Sequence, residues 1–234
     1  MTDDPAALLA LLQLADSAFP SGGFALSHGL ETLVQAGQVR DEATLTEAVR
    51  LFVSGQAGLT DTVALVGAHR TTRAGDGDML AAVDRALFAA KLAQEGRESA
   101  TRTGRRLLTL APAVAGPDAL ALLVPLRDAV QTGVAPGTHA VVFGAICAAL
   151  GVGEEAAALA GLHAMVANLT GAALRLLRLD HEAMLRVRSA AAPEIVAAVA
   201  AAQHADWRAM ASAAPLWEVA AMRHRYAEAR LFMS

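Results

Sequence analysis

Apolar residues recur along this chain at helical spacing, and no alternating strand pattern persists. Leu8, Leu9, Leu11, Leu12 and Leu14 make a first stripe, predicted to end near Ser17 because Pro20 disfavours helix at Phe19. Gly22 and Gly23 then permit a tight reversal. A second face follows with Leu26, Leu30, Leu33 and Val34, leaving Ser27, His28 and Glu31 beside or opposite it. Asp41 is the expected cap of a helix carrying Leu45, Val49, Phe52 and Val53 through about Gln56. Asp61 to Arg70 continues helically, and RAGDGD closes it as a loop. One long helix is predicted from near Asp78 to Leu110, ending before Pro112, with the polar middle QEGRESATRTGRR. A loop at Ala115 to Asp118 precedes a helix through Leu126, and Thr132 to Gly137 is a turn with Thr138 as cap. Helices at His139 to Leu150, Glu154 to Leu177, Asp180 to Arg188 and Pro193 to Ala213 follow, Pro193 suiting a first turn. No repeat or long linker divides the chain, so residues 1–234 read as an all-α, single-domain bundle of about eight to ten helices.

Composition strengthens the helical reading. Hydrophobic residues make up 55% of the chain but aromatics only 4%, so the apolar material is mostly Ala, Leu and Val, the first two being strong helix formers. A net charge of -4 argues against a broad phosphate footprint, and no nucleic-acid partner is expected. Of 19 basic residues only Lys91 is lysine, a bias that, with the alanine excess, fits a GC-rich coding sequence. The single Cys147 lies in an apolar run and reads as a buried small hydrophobe in a reducing cytoplasm. Asp3 and Asp4 stand where a secretory leader would carry positive charge, which also favours a cytoplasmic location. The uncharged stretches Ala129 to Gly153 and Ala156 to Leu174 invite a membrane reading, but Pro136, Gly137 and His139 interrupt the first, and His163, Asn168 and Thr170 the second. Alanine adds little to insertion, so buried bundle helices are expected in place of membrane spans.

Candidate chemistry is sparse. The seven histidines contain no compact ligand motif, the nearest groupings being Asp180-His181-Glu182 and His224 with Glu228 at helical spacing. His28, His181 and His224 remain candidates for transient metal contact, and an all-α metal-dependent enzyme using His28 and His181 is the alternative reading. Ser21 lacks the context of a nucleophile elbow, and Cys147 has no adjacent base. No catalytic residue and no resident cofactor is assigned. In the polar block, Glu95, Arg97, Glu98, Arg102, Arg105 and Arg106 crowd one segment whose Gly96 and Gly104 permit close backbone approach. Two readings stay open there: a solvated face with pairs such as Glu98 to Arg102, or a partner surface whose arginine forks orient carboxylates or phosphates.

Five ordered blocks resemble the urease accessory protein UreF family. The first is LLQLADSAFPSGGFALSHGLE, with Pro20, Gly23, Phe24, Ser27, Gly29, Leu30 and Glu31 in the family's places. Glu95-x-Arg97-x-Ser99 followed by Gly104-Arg105 is similar to its Glu-x-Arg pattern, and Thr138 to Gly144 resembles its His-x-x-Val-Phe-Gly helix start. In NLTGAALRLLRLD, Asn168, Ala172, Ala173, Arg175, Leu176 and Leu179 match, whereas Arg178 replaces a usual Pro and Asp180 a usual Gly. The tail PLWEVAAMRHRYAEARLFMS matches at Pro215, Met222, His224, Arg230, Leu231, Phe232 and Ser234, with Glu218 for an acid and Ala221 for a serine.

The resemblance implies an all-α, non-catalytic cytoplasmic scaffold of urease maturation. It implies a homodimer that bridges UreD (also called UreH) and the GTPase UreG, docks on apo-urease, and modulates the state of UreG. Nickel would be handled by the complex and GTP bound by UreG, so the chain itself takes no cofactor. Residues 215–234 are expected to contact UreD, with Trp217, Met222, Tyr226, Leu231 and Phe232 as apolar anchors, Arg223, Arg225 and Arg230 as orienting charges, and His224 among the contact residues. Glu31, Glu95, Arg97, Arg105 and Arg175 are the expected polar partner-facing sites, while Phe19 and Phe24 are expected to plug the core.

Overall fold

Asp4 opens the chain's first helix, its carboxylate accepting from the Ala6 amide at 2.9 Å. The computed structural model describes residues 4–233, so Asp3 and Ser234, used above, lie outside the described residues. In α1 (Pro5–Ala15) only Ala7, Leu11 and Leu14 are buried; Leu8, Leu9 and Leu12 face out, so the leucine stripe is narrower than its composition predicts. A 3-10 turn (Gly23–Ala25) leads to α2 (Leu30–Gln35). Asp41 and Thr44 form a reciprocal capping box at the start of α3 (Glu42–Phe52), which runs on as a π turn over Val53–Ala57, close to the expected end at Gln56. Then come α4 (Asp61–Ala74), α5 (Gly77–Ala90) and α6 (Gln94–Leu110).

The helix expected from Asp78 to Leu110 is thus broken at Lys91 to Ala93. Lys91 and Ala93 are extended, and Arg97 donates to the carbonyls of Lys91 and Leu92 at 2.7 and 3.1 Å, closing the end of α5. The break lets Lys91 turn inward to Asp61, a tertiary contact that outweighs local propensity. The single helix expected through Leu126 is likewise two, α7 (Pro117–Leu122) and α8 (Val124–Gln131), since Pro125 lacks the amide needed to continue the ladder.

α9 (His139–Ala149), α10 (Glu154–Leu176), α11 (His181–Ala202) and α12 (Pro215–His224) complete the twelve α-helices, and no strand occurs among the described residues. Pro193 does not start a helix; it lies inside α11, which is continuous from His181, and residues 203–214 connect to α12 through a 3-10 turn at Trp207–Ala209. Near Pro193 the Arg50 guanidinium donates to the Ala190 carbonyl at 3.0 and 3.2 Å and pairs with Glu194 at 3.0 Å, tying this part of α11 to α3.

One core gathers around α9, which is buried on nearly all sides and packs on α4, α6 and α10. Two glycines let backbones touch. A β-carbon on Gly144 would strike the Leu65 carbonyl of α4, and one on Gly104 of α6 would strike the backbone of Gly137, Thr138 and His139. By length and composition α10 is apolar enough to cross a bilayer, but its Leu162, Val166, Leu169, Ala172 and Ala173 pack in this core.

Candidate functional site

The C-terminal segment folds back onto the N-terminal turn. Gly22 sits at φ 93°, a left-handed conformation open to glycine, and His28 (φ 53°) is the one described non-glycine residue at positive φ. That geometry turns the His28 ring to Phe52, centroids 5.6 Å apart, and aims its carbonyl at α12, where Trp217 Nε1 donates to it at 2.6 Å. Trp217 is 1% exposed and stacks obliquely on Phe52 at 5.2 Å.

One buried carboxylate gathers several groups of α12 and the segment after it. Glu31, 3% exposed, accepts from the amides of Leu231 (2.7 Å) and Phe232 (3.1 Å) and from His224 Nε2 (3.0 Å). Burial raises its pKa, but the hydrogen bonds from His224, Leu231 and Phe232 lower it further, and the balance lies below the ordinary carboxylate value. His224 is fully buried and sets Nδ1 2.7 Å from Glu95, whose other oxygen accepts from Arg230 at 2.9 Å. Gln35 donates to the Ala229 carbonyl and Arg225 to Gln94. Arg175 lies between the rings of Phe24 (4.1 Å) and Phe232 (4.2 Å) and donates to the Phe24 carbonyl at 2.7 Å.

Seven of the sequence-selected residues therefore converge in one clasp: Glu31, Glu95, Arg175, Trp217, His224, Arg230 and Phe232. Their contacts are within the chain. Met222, Tyr226 and Leu231 point outward, Tyr226 being 77% and Leu231 61% exposed. Arg97 and Arg105 lie elsewhere, around a groove beside α6. Three expectations are corrected. Glu31 and Ser27 are buried, not beside the apolar face: Glu31 takes a hydrogen-bonded position inside the clasp, and Ser27 lies in the turn, its carbonyl accepting from the Leu30 amide. Phe24 is 61% exposed beneath Arg175 and plugs no core, while Phe19 packs partly buried against it. His224 and Glu228 share no helix face, since α12 ends at His224 and the carboxylates of Glu31 and Glu95 engage the ring.

Beneath the turn lies a cavity of about 110 Å³ lined by His28, Asp61, Lys91, His139, Asn168 and Glu218, among others. Asp61 is buried; burial raises its carboxyl pKa, but Lys91 Nζ at 2.8 Å lowers it more and holds it below the usual range. Burial drives the His28 pKa down to about 4, Lys91 adding to the effect, and lowers that of His139 as well. Burial pushes the Glu218 carboxyl up. His139 Nδ1 and Gln56 Oε1 have no hydrogen-bond partner among the described residues. Sequence reasoning missed this polar interior, although the one lysine among so many arginines marked it. His181 heads α11 on the surface, outside the cavity lining, and no three His, Cys, Asp or Glu side chains among the described residues are grouped to hold a metal ion. Cys147 is buried and burial pushes its thiol pKa up, the opposite of an activated nucleophile.

Comparison with known proteins matches nearly the whole chain. The sequence profile of the family described as UreF matches residues 39–192. A "Urease accessory protein UreF" of Trichodesmium erythraeum is 35% identical over 224 residues, covering 96% of this chain and 95% of that protein. "Urease accessory protein UreF 1" of Brucella melitensis is 36% identical over 227 residues, covering 97% and 92%. The Paenarthrobacter aurescens "Urease accessory protein UreF" is 37% identical over 226 residues, covering 97% of each.

Proposed function

The chain belongs to the UreF family of urease accessory proteins, and we propose that it acts as a non-catalytic scaffold that joins UreD (UreH) to the GTPase UreG on apo-urease. The observation that carries this reading is the outer surface of the clasp. Leu216, Val219, Met222, Tyr226, Leu231, Met233 and Phe24 are exposed along α12, the tail and the turn that holds it. So many large apolar side chains on one docked segment are a protein-binding surface by ordinary criteria. The clasp beneath fixes their positions, so little ordering cost remains when a partner docks.

Two copies of the chain form the centre of the proposed assembly, in the cytoplasm. Nickel and GTP travel with the partners, and this chain acts by affinity. A surface that binds one nucleotide or metal form of UreG more tightly shifts UreG toward that form by the difference in binding free energy.

The test is co-purification with UreD and UreG, read by size-exclusion with light scattering, for wild type and for a Met222→Ala, Tyr226→Ala, Leu231→Ala variant. Wild type should give a discrete complex with two copies of this chain. The triple variant should keep its helicity and thermal midpoint while losing UreD. A variant that still binds UreD would move the interface away from the clasp, and wild type that stays alone beside folded partners would end the scaffold reading.

A further inference from the structure

A second feature lies on the surface beside α6. An open groove of about 690 Å³ runs between α5, α6 and the turn at residues 133–136, and Arg85, Arg97, Arg102 and Arg105 line it. Glu98 is the one acid in its lining, and Glu98 takes the side-chain amide of Gln94 at 2.7 Å. In a chain of net charge -4, this is a local excess of positive charge.

How these arginines are held matters more than their number. Arg85 donates to the Val134 carbonyl at 3.1 Å, Arg105 to the Pro136 carbonyl at 2.9 Å, and Arg97 to the carbonyls of Lys91 and Leu92. Arg97 also lies 5.8 Å from the centre of the Phe88 ring. Neutral carbonyls fix the guanidinium groups without cancelling their charge, and none of the four makes an ion pair among the described residues. The nearby Asp84 feels Arg105 but is spent on the Gly137 and Thr138 amides and the Thr138 hydroxyl. Arg85, Arg97 and Arg105 are thus pre-positioned with donors to spare for an incoming anion, part of their side-chain entropy being already lost in the free protein, and Arg102 adds an exposed guanidinium.

We propose that this groove docks an acidic segment of a partner protein, whose carboxylates meet Arg97, Arg102 and Arg105. The inference deepens the scaffold reading and rests on it for the existence of a partner, though not for the chemistry of the groove. Carboxylates fit better than phosphates. Many phosphate sites draw on clustered backbone N–H donors, whereas the backbone groups that these arginines engage are the carbonyls of Lys91, Leu92, Val134 and Pro136. Val134 and Leu92, exposed at or beside the groove, supply apolar contact of the kind a peptide uses. Gln94 links the groove to the clasp through Arg225, so one partner can span both.

Arg102 is exposed and makes no ion pair among the described residues, so its substitution tests binding without loosening α6. Fluorescein-labelled hexaglutamate, with hexaglutamine as control, is titrated into wild type, Arg102→Gln, Arg102→Glu and Arg106→Glu, the last making the same charge change outside the groove lining. Wild type should bind hexaglutamate saturably and hexaglutamine not at all. Arg102→Glu should weaken binding about tenfold or more, Arg102→Gln by less, and Arg106→Glu by less than about twofold. Equal effects of Arg102→Glu and Arg106→Glu, no saturable binding, or tighter groove-dependent binding of inorganic triphosphate would each overturn the proposal. In co-purification with UreD and UreG, Arg102→Glu should lower complex yield. Full assembly by that variant would sink the groove's role and leave the scaffold reading standing. Failure of wild type to assemble would sink the scaffold reading, and the peptide titration would still decide the groove.

Discussion

Glu31 and His224, 193 positions apart in the chain, meet in the interior with Oε2 and Nε2 3.0 Å apart. That contact makes the second helix and the last one a single unit, since the same carboxylate also receives the amides of Leu231 and Phe232. Order in the tail is therefore tied to the ionisation of one buried acid.

The sign of that dependence follows from the direction of the shift. Glu31 has a native pKa below its unfolded value of 4.5, so its contribution is complete above pH 4.5 and is lost as pH falls through the native value. Hydrogen exchange at the Leu231 and Phe232 amides, corrected for intrinsic rate, should lose protection below pH 4.5 while amides of α9 stay protected. Glu31→Gln should release the tail at every pH, costing about 1–3 kcal/mol locally. Unchanged protection in the variant would remove Glu31 from the clasp.

His28 sets a second pH dependence of opposite origin. Burial and Lys91 depress its pKa from 6.5 to about 4, so the unfolded chain binds the extra proton first. Stability from this group is complete above pH 6.5 and falls away toward pH 4, by up to about 3 kcal/mol. Burial lowers the His139 pKa too, so its contribution has the same sign. His28→Asn tolerates the positive φ, and its urea midpoints between pH 7.5 and 5 should converge more closely than those of wild type. Identical slopes would mean that His28 is solvated.

What the sequence disclosed and what it hid divide by distance along the chain. The Asp41 cap and the His139 start lie within a turn of the residues that signal them, and both stand where the local pattern places them. The break at Lys91, the unbroken α11 and the burial of Glu31 depend on partners 30 to 201 residues away, Asp61, Ala190 with Arg50, and the tail among them. Periodicity carries no record of such contacts. Most clasp residues could be picked from family blocks, but which residues of the tail face inward could not: Trp217 and Tyr226 are both large aromatics there and are opposite in exposure.

The ion pair under the turn should behave as a unit. Lys91→Met leaves the Asp61 carboxylate buried without its cation and should cost about 3–5 kcal/mol in urea denaturation. Adding Asp61→Leu removes the stranded charge, so the double variant should recover much of that loss. Strict additivity of the two changes would show that the side chains do not interact.

The close approach of α6 to α9 can be tested with one methyl group. A β-carbon at position 104 would lie 2.6 Å from the His139 nitrogen and 2.6 Å from the Thr138 carbonyl carbon. Neither can yield cheaply. Both belong to a turn whose amides and hydroxyl are bound by the buried Asp84 carboxylate, and α9 starts there. Gly104→Ala should therefore lower stability by at least about 1–3 kcal/mol, even though alanine is the better helix former. Gly171, inside α10, has nothing within 4 Å of its β-carbon position, and there the helix-propensity gain of about 0.5–1 kcal/mol should appear unopposed. Thermal denaturation should thus move the two midpoints in opposite directions, and a rise for both would mean that α6 and α9 are further apart than described.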